Sequence, residues 1–245
     1  MDITTILGVA GAAGIIFAGF ASGQISASLI NLHGVIVVLG GTLVGTLINT
    51  PLKYLTRAVT ELGYMFRENN ADAPEKIIPV LVNLAEQSRM RGLTALKEAD
   101  PRIARGFLHR AATAALEYND YKFVRQVLET EINQGMDDMN EVTNVYRTMG
   151  VMAPMFGLLG TLIGIIGVLK DLANPESVGP SMAVAITSAF YGIFLSNMVC
   201  GPIAGKMRAK VWLEVRTKSM ILEGVLEIMK GSMPLVVERR LQSYL

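Results

Sequence analysis

The chain has 245 residues, is 51% hydrophobic and only 18% charged, whereas a soluble domain carries charge on about a quarter of its residues. A net charge of +1 with both signs mixed leaves no one-sided basic surface of the kind nucleic-acid binding requires. The single cysteine, Cys200, excludes a disulfide framework and a Cys-rich metal site.

From Ile3 to Leu52 there is no Lys, Arg, Asp or Glu. A hydrocarbon core of about 30 Å is crossed by roughly 20 helical residues. The window therefore predicts two crossings, Ile3 to Ala21 and Leu29 to Leu52, around the polar Ser22-Gly23-Gln24-Ile25-Ser26.

The next segment carries basic and acidic residues in nearly equal number and reads as helical. Apolar residues recur three or four apart in Ile77, Val80, Leu81 and Leu84, in Phe107, Ala111, Ala114 and Ala115, and in Phe123, Val127, Leu128 and Ile132. Breaks are expected at Asn69-Asn70, Pro74, Gly92, Asp100-Pro101, Asn119-Asp120 and Gly135. The second crossing is expected to continue as a helix past Lys53, and Asp137 to Arg147 to run unbroken into the third.

A second apolar window, Thr148 to Gly205, holds only Lys170, Asp171 and Glu176. It predicts crossings at Met149 to Leu169 and Ser181 to Gly205. A helix from Lys206 to Lys230 follows, stopped by Gly231-Ser232-Met233-Pro234, and an amphipathic segment closes the chain.

All of the 22 Lys and Arg residues except Lys170 lie between Lys53 and Arg147 or from Lys206 onward. The positive-inside rule then places the N-terminus, the charged loop and the tail in the cytoplasm. The expected fold is an all-α membrane protein with four transmembrane helices in two hairpins, a large helical cytoplasmic loop and a helical cytoplasmic tail. Its divisions fall at 1–52, 53–147, 148–205 and 206–245. Acidic Asp2 and a first span leading straight into a second argue against a cleaved signal peptide.

Enzyme chemistry has no foothold. There is no phosphate-binding glycine loop followed by Lys-Ser/Thr, and His33 and His109 are far apart, with no metal-ligand spacing around them. No span carries an acid or base near its centre, although an ion pathway normally needs one. The spans are instead rich in small residues: Gly41 with Gly45, Gly160 with Gly164, and the stripe Ser181, Ala185, Ser188, Gly192, Ser196. Such stripes let helices approach closely, so the charge that handles an ion is expected from another chain.

The segment Val151-Met-Ala-Pro154-Met-Phe-Gly157-Leu-Leu-Gly160-Thr161-Leu-Ile-Gly164 resembles the third span of the flagellar stator proteins of the MotA/PomA family. So do Gly179 to Ala185, Phe190-Tyr191-Gly192, Ser196-Asn197-Met198 and Pro202-Ile-Ala204. The tail, Leu222-Glu223-Gly224 through Ile228 with Gly231, Pro234, Glu238 and Leu241, is similar too. The likeness covers nearly the whole chain, and span four is worded more like the sodium-type members. It implies a multi-pass subunit of the bacterial inner membrane that serves motility. It also implies a homopentamer around a dimer of a single-span MotB/PomB-type partner, whose Asp carries the ion, and a charged contact with the rotor protein FliG.

Carried onto this chain, the resemblance gives Arg89 as the rotor-contact residue, with Arg91 and Glu98 beside it; Lys97 stands where the family has an acid. Pro154 and Pro234 match prolines with conformational roles. Pro154 and Thr161 are two turns apart on one helix face, which in the family looks onto the partner's Asp; the alternative is that Thr161 only bonds back to the carbonyl of Gly157. Ala189 replaces a usual Thr, and Thr187, about 200° around the helix, cannot substitute. Ser188 is then the nearest candidate hydroxyl. A desolvating sodium ion needs several oxygens, so the transported ion expected here is a proton rather than sodium, with no other cofactor. The alternative is a TolQ/ExbB-like energiser of outer-membrane work, which lacks a counterpart of residues 3 to 52. A transporter would show repeat symmetry, and the two hairpins are unlike.

Overall fold

Proline, asparagine and glycine set most of the helix ends. The computed structural model describes residues 3–22, 31–65, 73–118, 120–170 and 175–245, and every regular element among them is helical. All but Ser22 of the expected turn at Ser22 to Ser26, the break at Asn69-Asn70 and most of the turn between spans three and four lie outside the described residues.

Helix α1 spans Ile3–Ala21, the bounds that the apolar window predicts. Helix α2 spans Leu32–Asn49 and contains a π-helical stretch, Ile36–Gly40. Asn31 starts it: its side-chain oxygen accepts from the N–H of His33 at 3.0 Å and of Gly34 at 3.3 Å. Two donors that a helix start leaves orphaned are thereby satisfied. The expected run-through into the charged segment does not occur. Pro51 drives the residue before it out of the helical region, and Thr50 is extended at φ −124°, ψ 129°. Helix α3, Leu52–Met65, starts afresh.

Helix α4, Pro74–Arg91, opens on proline and ends at Gly92, whose φ of +75° a side chain would strain. Short 3-10 turns follow at Leu93–Glu98 and Ile103–Gly106, the second holding Ala104 and Arg105 in the left-handed region. Helix α5 is Phe107–Tyr118, and α6 is a single helix of 50 residues, Tyr121–Lys170. Gly135, an expected break, lies inside it. One glycine costs a helix only about 1 kcal/mol, which the flanking packing outweighs. Helix α7 joins Pro175–Phe194, a π-helical stretch Leu195–Cys200 and Gly201–Met229 without interruption. It closes where Gly231 donates to the carbonyl of Ile228 and Ser232 to that of Glu227. Helix α8 is Pro234–Gln242.

The chain forms two units. The apolar unit is Met1–Glu68 with Glu141–Arg208, and the charged unit is Asn69–Asn140 with Ala209–Leu245. Three helices among the described residues are long and apolar enough to cross a membrane: Leu32–Asn49, and parts of Tyr121–Lys170 and Val178–Met229. In the apolar unit Ala58 packs with Val142, Val145, Tyr146 and Met207, and the Tyr146 hydroxyl donates to the Ala58 carbonyl at 2.9 Å.

The charged unit has an ordinary apolar core. Leu81, Phe107, Leu108, Leu128, Met220, Ile221, Leu226 and Leu241 are all at most 1% exposed. Each such side chain contributes about 1.5–3 kcal/mol of burial. The first two predicted stripes supply their faces, except that Val80 is only partly buried. The third is shifted. Val124 is buried with Leu128 and Ile132, while Phe123 and Val127 stay exposed and Phe123 packs edge-on against Tyr118 at 4.8 Å.

Candidate ion-pathway helices and charged contact site

The small-residue stripe of α7 meets glycines of α6 along its length. A methyl group on Gly164 would lie 2.7 Å from the Cβ of Ala185, and one on Gly157 would lie 3.0 Å from the carbonyl oxygen of Ser188. Gly160 faces Ser188 directly. Helix α2 joins from the other side. A methyl group on Gly34 would lie 3.0 Å from the Thr187 hydroxyl and 3.1 Å from that of Ser188, and Gly41 lies against the ring of Phe156. Without side chains between them, backbones come within dispersion range, which is how helices associate in lipid.

Within this seam the candidate residues separate. Pro154 and Thr161 are half-buried on α6. The Thr161 hydroxyl donates to the carbonyl of Leu158 at 2.6 Å, so the back-bond exists but its acceptor is Leu158, not Gly157. Ser188 sits deeper than Thr161. It is fully buried, its hydroxyl donates to Val184 at 2.7 Å, and Gly34 and Gly160 enclose it. It is a seam residue, because the glycines opposite leave room for exactly one small side chain. Thr187 is buried as well, bonded to Ala183 at 2.8 Å. Ala189 is half-buried beside Gly157. Pattern reading did not single out the contact in which the N–H of Asn31 donates to the Tyr191 hydroxyl at 3.1 Å, tying the start of α2 to α7.

In the charged unit Arg89 and Arg91 lie in the last turn of α4, both exposed. Arg91 reaches across Gly92 to Glu98 at 3.2 Å. Arg89 makes no ion pair with any described residue, and Lys97 is exposed next to Glu98. Asp100 accepts from Arg102 at 3.1 and 3.0 Å, and those bonds hold its carboxyl below the usual range.

Pro234 is the first residue of α8, and the helix it starts is held by buried charge as well as by Val237 and Leu241. Glu227 accepts from Ser232 at 2.6 Å, Arg240 at 2.8 Å and Lys230 at 2.9 Å; Glu223 pairs with Arg240 at 2.7 Å and Arg125 at 3.0 Å. Burial pushes the Glu227 carboxyl up. The Ser232 and Lys230 hydrogen bonds and the two cations more than offset this, leaving it below the usual carboxylate range. Sequence reading missed this cluster because Arg240 reaches it only when α8 folds back past Gly231 and Pro234, and Arg125 comes from a helix 98 residues away. Its one signal was two carboxylates a turn apart in the apolar run from Met220 to Met229. No group of three or more His, Cys, Asp or Glu among the described residues could hold a metal ion.

Comparison with known proteins agrees with this architecture. The pattern of the MotA/TolQ/ExbB proton channel family matches residues 98–220. The chemotaxis protein PomA of Vibrio alginolyticus is 31% identical over 247 residues, covering all of this chain and 96% of that protein. Motility protein A of Treponema pallidum is 31% identical, over all of this chain and 94% of its own. The flagellar MotAB stator complex of Bacillus subtilis contains a chain that superposes with a TM-score of 0.90 at 27% identity, covering 100% of this chain and 96% of that one. The C. jejuni MotAB structure matches with the same TM-score at 25% identity. Apolar spanning helices with a glycine seam and a charged helical unit thus define a membrane channel subunit. The chain belongs to the MotA/TolQ/ExbB proton channel family.

Proposed function

We propose that this chain is a flagellar motor stator subunit that, with a single-span MotB/PomB-type partner, turns ion flow into rotation of the flagellar rotor. The observation that carries the reading is the absence of any acid or base from Met149 to Leu169 and from Ser177 to Gly205. Helices packed this closely around no charge of their own need a partner's carboxylate to move an ion. The motility proteins match the whole chain, including residues 1–97, which lie outside the family pattern. That favours a stator over a TolQ/ExbB-like energiser.

In this reading α1 is the fourth crossing of the inner membrane. The N-terminus, the charged loop and the tail are cytoplasmic, and the chain assembles as a homopentamer around the partner. Thr161, Pro154 and Ala189 border the ion path, with Ser188 supporting them from inside the seam, and Arg89, Arg91 and Glu98 meet FliG. Protons are the ion: Ala189 offers no oxygen, Ser188 is enclosed, and Thr161 alone cannot replace the hydration shell of sodium. Expressed with its partner in a strain lacking stators, the chain should restore swimming without sodium, and a protonophore should stop it. Arg89→Glu should abolish swimming while the amount and assembly of the protein stay unchanged. Strict sodium dependence would overturn the proton assignment alone; failure to restore swimming would overturn the stator reading.

A further inference from the structure

Pro154 leaves a gap in the hydrogen bonding of α6, and the group that fills it belongs to α7. In an α-helix the carbonyl of residue i−4 accepts from the N–H of residue i. Pro154 has no N–H, so the carbonyl of Gly150 loses its partner. Inside a bilayer that carbonyl has no water to turn to, and proline survives in spanning helices where a neighbouring hydroxyl satisfies the freed group. Here the Ser196 hydroxyl donates to the Gly150 carbonyl at 2.7 Å.

The surroundings of this bond include one feature that the sequence pattern did not display. Ser196 lies in the π-helical stretch Leu195–Cys200, which adds a residue to the turn and resets which side chains face α6. Beyond Gly192, Cys200 is buried and Val199 is 38% exposed. A methyl group on Gly150 would lie 3.3 Å from the Cβ of Cys200. One turn earlier, a methyl group on Gly192 would lie 2.6 Å from the Ala153 carbonyl and 3.1 Å from the Cα of Pro154. The proline turn of α6 is therefore gripped by α7 at Gly192 and at Ser196. π-Helical turns of this kind recur at functional sites.

We propose that Ser196 is a positioning residue for the proline turn of α6: its hydroxyl stands in for the N–H that Pro154 lacks, and its release from Gly150 would free that turn to bend. A hydroxyl suits this task better than a backbone donor. It lets go by rotating about one side-chain bond, and it can bond back to the carbonyl of Gly192 on its own helix, as membrane Ser residues do. The bending depends on the stator reading; the compensation of Pro154 by Ser196 does not.

The test is a double-mutant cycle on the full chain purified with its partner in detergent. Ser196→Ala should lower the melting temperature by about 4 °C, the shift expected for one unsatisfied carbonyl in a chain of this size. In a Pro154→Ala background, where residue 154 supplies its own N–H, the same change should cost less than a third of that. Should Pro154→Ala not accumulate, Pro154→Leu restores the same donor. An equal cost in both backgrounds would make Ser196 an ordinary interhelical bond and overturn the proposal. In cells, Ser196→Ala should cut swimming speed at least threefold at unchanged protein level, and Ser196→Thr should restore it. Normal speed in Ser196→Ala would overturn the positioning role. If the unaltered chain fails to drive swimming, the stator reading falls, while the melting cycle still decides the bond.

Discussion

Along the seam of the apolar unit α6 and α7 meet through glycine, serine and alanine; in the core of the charged unit helices meet mainly through leucine, isoleucine and phenylalanine. Both halves are helical, and α6 and α7 contribute to both. The solvent accounts for the difference. In water, burying Phe107 or Leu226 is favourable in itself, so large side chains make the better contact. Against lipid tails a leucine gains nothing by turning inward, and association falls to close packing and hydrogen bonds between backbones. Hence Leu158, Leu162 and Ile166 of α6 are about half-exposed, while Gly157, Gly160 and Gly164 are the positions that face α7. The same residue type carries opposite meaning in the two halves. Even the polar contacts differ: single hydroxyls on carbonyls in one, and the clustered carboxylates and cations around Glu223 and Glu227 in the other.

The change that should break this contrast most severely is a large side chain in the seam. Gly164→Leu has no space to enter, since even a methyl group would lie 2.7 Å from both the Cβ and the backbone nitrogen of Ala185. Overpacking on this scale displaces backbone rather than side chains. Folded protein recovered in detergent should be nearly absent for Gly164→Leu and several-fold reduced for Gly164→Ala. Gly63→Ala, with nothing within 4 Å of the added group, should match the unaltered chain. Equal recovery of all three would mean that the seam is not what holds the apolar unit together.

The charged unit should respond in the reverse sense, to removal of bulk. Leu226 is completely buried, and Leu226→Ala should cost about 2–5 kcal/mol, from lost transfer energy and the cavity left behind. Urea-dependent proteolysis of this unit would measure it, since cleavage follows the opened population. A cost below about 1 kcal/mol would show that the core repacks freely, and would weaken the contrast from the other side.

How much of this was legible beforehand follows the same division. Freedom from charge is a property of short windows, so the apolar helices could be read directly, down to the bounds of α1. The glycine stripe could be read as well, because helical spacing survives in the sequence. What could not be read depends on a neighbour. The enclosure of Ser188 needs Gly34 and Gly160 placed opposite it. The π-helical turns earn their place only through contacts such as Ser196 with Gly150. Pro51 was visible, but the apolar run before it and the breaker-free stretch after it concealed the break. Phe123 misled for a different reason. An aromatic at helical spacing looks like core, yet Val124, one residue on, takes the buried position, because the face is fixed by what α6 packs against.

The smallest expected effect concerns the pair at the end of α4, and it separates stability from contact. Arg91 and Glu98 are 3.2 Å apart, with side chains 64% and 55% exposed. An ion pair so open to water contributes at most about 1 kcal/mol, and much of that is screened by salt. The swap Arg91→Glu with Glu98→Arg keeps an attractive pair across Gly92 while reversing the charge at each position. The charged unit should therefore resist urea to within about 0.5 kcal/mol of the unaltered chain, with any difference shrinking as salt is raised. Swimming should nevertheless fall, because a rotor surface recognised through charge would meet a carboxylate beside Arg89 where it now meets a guanidinium. If the swapped chain swims normally, the two residues only tie off the helix end, and Arg89 stands alone as the expected contact. If stability drops instead by several kcal/mol, the pair is structural, and the distinction between a solvated charged surface and a buried charged cluster in this unit does not hold.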